Sequence, residues 1–203
     1  MRKARRAVTR RRLAQGESPV FAQLFSLFRR SPNQPLIDRL HGEIMAAARQ
    51  PALFTEYGVA DTVAGRFEAL CLSAAVALGR IAALPDPGPA VAQEVTDALF
   101  RHLDVALREI GVGDVSVPKK MKTLAQGYLG RVGAYSGPLE RGDAEALARA
   151  IARNVFGDES RAQDAQAQRM ARYALSWRAE LADLTVERLL AGPLPQRDAQ
   201  HVS

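Results

Sequence analysis

"LREIGVGDVSVPKKMKTLAQGYLGR", residues 107–131, is the stretch on which the fold turns. Upstream of it, Val91, Val95, Leu99, Leu103 and Leu107 recur at helical spacing from about Ala90 to Ile110. Gly111 is placed to stop that helix, because glycine tolerates the left-handed backbone of a helix terminus. Pro118 suits the first turn of the next helix, which carries Met121, Leu124, Tyr128 and Val132 inward. The stretch therefore predicts two helices joined by a polar turn.

The same period extends in both directions. Pro35 opens a helix with Leu36, Ile37, Leu40, Ile44 and Met45 on its apolar side, and Pro51 ends it. After the connection PALFTEYGVA, Asp61 is a candidate N-cap for a helix burying Val63, Phe67, Leu70, Cys71, Ala74, Leu78 and Ile81. PDPGP ends that helix. A shorter helix follows Asp143, with Leu147, Ile151 and Val155. A final one, expected from about Asp158 to Leu190, lines up Met170, Tyr173, Trp177, Leu181 and Leu184. No segment alternates like a strand and no repeat recurs. The expectation is an all-α fold: a single helical domain of about six helices over residues 35–190. It follows a basic N-terminal extension, partly disordered, over 1–34, and precedes a polar tail at 191–203.

Composition supports a helical globular body. The chain has 203 residues, 47% of them hydrophobic. A body of roughly 150 residues buries about 70% of its extended-chain surface, so neither metal nor disulfide is required to hold it. The single Cys71 rules out an intramolecular disulfide and favours a reducing compartment.

The net charge of +6 is unevenly distributed. Residues 1–30 hold nine Lys or Arg against one acid, Glu17, so the rest of the chain is slightly acidic. MRKARRAVTRRR has no apolar face and reads as a solvated arm. In SPVFAQLFSLFRR, Phe21, Leu24, Phe25 and Phe28 make one helical stripe, followed by Arg29 and Arg30. Such a stripe beside a basic arm suits a reversible contact with a membrane surface. The competing reading is a helix packed on its own domain. An Arg-rich, acid-poor start also has the composition of a mitochondrial presequence, whereas Arg29-Arg30 stand where a secretory signal would have small residues. No stretch approaches the ~20 apolar residues of a membrane span.

Catalytic chemistry has little to work with. His41, His102 and His201 are far apart in sequence, and His102 and Asp104 point away from each other on a helix. There is no Glu-x-x-His pair for a di-iron site, and one cysteine cannot build a zinc cluster. GVGD fits neither GxGxxG nor GxxxxGK[ST] and follows a helix rather than a strand. Gly111 and Gly113 are better explained as residues accepting positive φ between helices. No catalytic residue, metal or other cofactor, and no small-molecule substrate, is expected.

What remains is an anion-attracting geometry. Asp114 or Ser116 is placed to cap the helix after the turn, and Lys119, Lys120 and Lys122 lie beside its free N–H groups. Cations at that end cost roughly 0.3–1 kcal/mol each when exposed, because they oppose the helix dipole. Three together imply either an acidic partner or neutralisation by Asp114 and Glu109. A second polar cluster, ADTVAGRF at 60–67, has Asp61 as cap and Gly65 in the first turn, at ~1 kcal/mol relative to alanine. Such a glycine permits close approach of another backbone or a ligand. Arg66 can pair with Asp61 or reach outward.

Together these clusters resemble the ubiquinol–cytochrome c chaperone family, assembly factors for cytochrome b of the respiratory bc1 complex. The resemblance rests on FTEYGVADTVAGRFEALCL (54–72), on LDVALREIGVGDVSVPKKMKTLAQGYLGRVGAY (103–135) and on Arg153-Asn154, and spans roughly 35–156. Positions matching the family pattern are Asp61, Thr62, Gly65, Arg66 and Phe67, then Leu107, Arg108, Glu109, Gly111, Gly113, Asp114, Pro118, Lys119, Lys120, Tyr128, Gly130, Arg131 and Tyr135. With Lys122 from the lysine cluster, the expected partner-binding set is Asp61, Thr62, Gly65, Arg66, Phe67, Arg108, Glu109, Gly111, Gly113, Asp114, Lys119, Lys120, Tyr128 and Arg131. Arg108 and Arg131 flank the lysines.

The resemblance implies a non-catalytic, all-α chaperone whose client is cytochrome b, working with a small partner protein and in some members near the ribosome. It implies a place in the cytoplasm at the inner face of the respiratory membrane, or in the mitochondrial matrix of a eukaryote. Ser73 departs from the pattern, standing where a histidine is expected, so a haem contact through that position does not carry over. The alternative function is a ribosome- or RNA-associated protein using the Arg-rich arm as a phosphate clamp.

Overall fold

The computed structural model describes residues 33–201, and within them every regular element is helical. The helices are α1 (Gln34–Ala47), α2 (Pro51–Thr55), α3 (Val63–Ala82), α4 (Gly88–Glu109), α5 (Val117–Arg141), α6 (Ala144–Val155), α7 (Ala165–Glu180) and α8 (Val186–Ala191). Short 3₁₀ turns stand at Glu159–Gln163 and Ala199–His201. The amino-terminal arm and its stripe, Phe21, Leu24, Phe25, Phe28, Arg29 and Arg30, lie outside the described residues. Among the described residues no helix is long and apolar enough to cross a membrane.

α3 is the axis of the body, packed against α1, α4, α5, α6 and α7. Its run from Ala69 to Leu78 is buried on every side. Four alanines in that run let neighbouring helices approach closely, so one helix serves several interfaces. The expected apolar face is therefore too narrow in the middle of α3 and wrong at its start, where Val63 is 70% exposed. Ser73 belongs to the buried run, at 3% exposure. Position 73 thus faces the core.

The last long helix expected from the sequence is three pieces. The Asp158 carboxylate accepts the Ser160 N–H and starts a 3₁₀ turn instead of an α-helix. α7 ends at Glu180, where Arg80 of α3 donates to the carbonyls of Leu181, Ala182 and Leu184 at 3.0, 2.9 and 2.7 Å. A cation there satisfies the C-terminal carbonyls and complements the dipole. Thr185 then caps α8, accepting from the Arg188 N–H.

The stretch after α8, read from sequence as a polar end, is docked on the body. Leu194 and Ala199 are buried at 2% and 0%. Trp177 Nε1 donates to the Pro195 carbonyl at 2.8 Å and the Tyr57 hydroxyl to that of Ala199 at 2.7 Å. Gln50 donates to the Arg197 carbonyl and accepts the Ala199 N–H, while Glu43 accepts the Leu194 N–H. Arg39 reaches the carbonyls of Leu189 and Gly192. A segment with few apolar residues packs because side chains of α1 and α7, with Gln50 and Tyr57 on either side of α2, satisfy its backbone.

α4 and α5 form the hairpin expected from residues 107–131. Val91, Val95 and Leu99 are buried, but Leu103 and Leu107 are only half-buried. Phe100 and Tyr128 are the outermost buried aromatic pair, meeting edge to face at 5.3 Å. Between Arg101 and Gly127 only Val117 is buried. Leu103, Met121 and Ala125 still pack against the core; beyond them the stretch from Asp104 to Glu109 spans about 9 Å at helical rise, so the outer end of the hairpin projects past the core.

Candidate functional site

At the start of α3 the chain turns so sharply that position 65 admits no side chain. A Cβ there would lie 1.9 Å from the Ala60 carbonyl oxygen. Gly65 is thus required by its own preceding loop and is buried, which accounts for it without a ligand. The cap is Thr62, not Asp61: its hydroxyl accepts the Gly65 N–H at 3.1 Å. Asp61 accepts instead from Arg66 Nε at 2.7 Å, both side chains about three-fifths exposed. Arg66 also lies 5.7 Å from the Phe54 ring centroid.

One turn further, Phe67 and Arg131 belong to a single packing unit between α3 and α5. The guanidinium sits 5.4 Å from the Phe67 ring centroid and pairs through two nitrogens with Glu68. It also donates to the Gly127 carbonyl at 3.1 Å. Glu68 is buried, and this bidentate pair satisfies its charge. Glu68 is the residue that sequence reasoning missed. The signal that leads to it is a buried acid inside an apolar helix face, next to a family-pattern Arg-Phe.

Behind this pair lies a closed polar patch. Burial pushes the Cys71 thiol and the Tyr135 hydroxyl well above their ordinary ranges, with Glu68 adding to both shifts. Burial likewise pushes Tyr128 up to about 12. Tyr128 is 7% exposed against Phe100, so it braces the base of the hairpin and does not face a partner. Asn154 lies next to Tyr135, whereas Arg153 points outward toward Glu159 at 3.5 Å.

The turn between α4 and α5 is arranged around Arg108. Its guanidinium takes Asp104, at 2.8 Å from Nε, and reaches across the turn to Asp114. Asp114 is therefore committed to Arg108, and neither it nor Ser116 caps α5 through a side chain. Gly111 adopts a φ of +84°, as its place after α4 demands, while Gly113 keeps a negative φ. Glu109, Lys119, Lys120 and Lys122 are all exposed. Ile110 and Val115 are exposed as well, at 61% and 96%.

The expected set thus divides. Asp61, Thr62, Arg66, Arg108, Glu109, Gly111, Gly113, Asp114 and the three lysines present surface. Gly65 and Tyr128 are interior, and Phe67 and Arg131 are half-buried supports. His41 and His102, distant in sequence, meet between α1 and α4 with ring centroids 5.3 Å apart. Burial and the nearby His102, Arg101 and Arg49 hold the His41 imidazole below its ordinary range, against Asp38. Among the described residues no group of three His, Cys, Asp or Glu could hold a metal ion.

A family model described as ubiquinol-cytochrome C chaperone matches residues 55–196. The match continues well past residue 156, where the sequence resemblance ended, and takes in α7, α8 and part of the docked C-terminal stretch. Among solved structures, the chain is similar to the Cbp3 homolog from Brucella abortus. The two are 36% identical with a TM-score of 0.75, over 91% of this chain and 98% of that one. No curated protein matches.

Proposed function

The chain belongs to the ubiquinol-cytochrome C chaperone family, and from that premise we propose that it is a non-catalytic chaperone of bc1 assembly that holds newly made cytochrome b. The observation carrying this reading is the family match over residues 55–196, within which the matching polar positions come to the surface at two places. One is the Asp61–Arg66 pair at the start of α3; the other is the projecting α4–α5 turn with its lysines. Both are fixed in place, the first by buried Gly65 and the Thr62 cap, the second by buried Phe100 and Tyr128. A rigid, polar, exposed surface is what recognition of a folded or inserted client segment requires. Work beside a small partner protein or the ribosome, at the inner face of the respiratory membrane, is part of the same proposal.

The test is a tagged purification from gently solubilised membranes at moderate salt, with the co-purifying proteins identified. Cytochrome b without the mature complex supports an early assembly chaperone. Ribosomal proteins alone, lost after RNase or high salt, overturn it in favour of RNA binding through the Arg-rich arm. In the same detergent extract, changing Lys119, Lys120 and Lys122 to Glu is expected to weaken client capture while the helical circular dichroism stays unchanged.

A further inference from the structure

The outer end of the α4–α5 hairpin carries a combination that client recognition does not explain. Ile110 and Val115 are solvent-exposed at the turn, and Val105, further back on α4, is 52% exposed. Lys119, Lys120 and Lys122 stand on the first two turns of α5 immediately after them. These are three of the four lysines in a chain whose other cations are arginines.

The outer end is exposed, since beyond Phe100 and Tyr128 only Val117 is buried and the last side chains packed on the core are Leu103, Met121 and Ala125. The cores of protein interfaces are depleted in Lys. An anionic membrane surface accommodates this set: aliphatic side chains enter the headgroup layer, lysine stems lie along the apolar surface and ammonium groups sit among lipid phosphates.

We propose that the tip of this hairpin, Ile110 and Val115 with Lys119, Lys120 and Lys122, seats in the headgroup layer of an anionic lipid bilayer. The turn residues enter the interface, and the lysines at the start of α5 contact lipid phosphate. Arg108 is held by Asp104 and Asp114 and serves to stiffen the turn. Exposed Glu109 opposes the contact and keeps it reversible. The chaperone reading supplies the reason for such a contact, a client that resides in the membrane. The chemistry stands on the hairpin alone.

The test uses the full chain with Val115→Cys carrying an environment-sensitive fluorophore; native Cys71 is buried and its thiol is held protonated, so labelling is selective. Arg149→Cys, on an exposed position of α6, is the control. Vesicles of phosphatidylcholine with phosphatidylglycerol are compared with phosphatidylcholine alone, scoring both cosedimentation and the emission shift.

The expected result is a blue shift at 115 and none at 149, on anionic vesicles only. Changing the three lysines to Gln should raise the lipid concentration needed for the shift by roughly a hundredfold, from about fivefold per lysine at such a surface. Ile110→Asp should abolish it. Cosedimentation without a shift at 115 overturns the proposal, because the N-terminal arm is then the whole contact. So does an equal shift on neutral vesicles, or a shift that appears only when an acidic protein partner is added. Client capture in detergent is measured without a bilayer, so failure here leaves the chaperone reading intact, and the converse also holds.

Discussion

Gly65→Ala tests whether the start of α3 is fixed by its own loop. Helix propensity alone would favour the change by about 1 kcal/mol, since Gly65 lies inside the first turn of a 20-residue helix. The structure reverses that sign. The new Cβ would stand 1.9 Å from the Ala60 carbonyl oxygen and 2.9 Å from its carbon, both backbone atoms with no rotamer in which to escape.

Relief requires residues 60–62 to move, which strains a packed loop at roughly 1–3 kcal/mol. It also loosens the Thr62 cap, a contact of about 1 kcal/mol. After subtracting the propensity gain, the net destabilisation is about 1–3 kcal/mol. For a domain of this size, each kcal/mol shifts the thermal midpoint by about 2–4 °C. Urea and thermal unfolding followed by circular dichroism are the assay, with Gly130→Ala as reference. A Cβ at position 130 would meet nothing within 4 Å, so alanine there is expected to stabilise by about 0.5–1 kcal/mol. If Gly65→Ala matches Gly130→Ala in sign, the close approach at Ala60 does not exist and Gly65 regains its claim to a partner-facing role.

Three further outcomes are expected. Arg131→Met leaves the buried Glu68 carboxylate unpaired and should cost about 2–3 kcal/mol, less than the ~3–5 of a fully buried pair because Arg131 is 26% exposed. Adding Glu68→Gln should recover much of that in a double-mutant cycle. Truncation after Ala191 removes Leu194, worth about 1.5–3 kcal/mol of burial, and strands the Trp177 and Tyr57 donors. The thermal midpoint should fall, and proteolysis of the native body should accelerate. For His41 the folded imidazole binds protons more weakly than the unfolded one, so the unfolded chain gains protons first as pH falls. Stability should therefore drop below the ordinary imidazole range and be flat above it, and His41→Gln should reduce that slope.

Helix positions were legible because their signals are local. Val91, Val95 and Leu99 repeat with the helical period, Gly111 stops α4, and Pro118 opens α5, each within a few residues of the feature it fixes. The hairpin and its lysine cluster were visible for the same reason. The expected cap at Asp61 failed against its immediate neighbour, since Thr62 has an equally suitable oxygen one residue closer to the helix. The long helix from Asp158 to Leu190 failed because periodicity cannot register an Asp158 side chain that starts a 3₁₀ turn, or an Arg80 that ends α7 from another helix.

Side-chain periodicity and turn chemistry thus set, from the sequence alone, an all-α chain, its main helix boundaries and the polar character of the α4–α5 turn. The tertiary structure decided which side of each residue is wet. It buried Tyr128, Ser73 and Gly65 and exposed Val63, Ile110 and Val115. It gave Arg131 to Glu68 and Asp114 to Arg108, brought His41 against His102, and folded the tail back over α1, α2 and α7. These outcomes depend on contacts between residues up to 153 positions apart, as in Arg39 and Gly192. No local pattern encodes such contacts, because burial is settled by the packing of whole helices against one another.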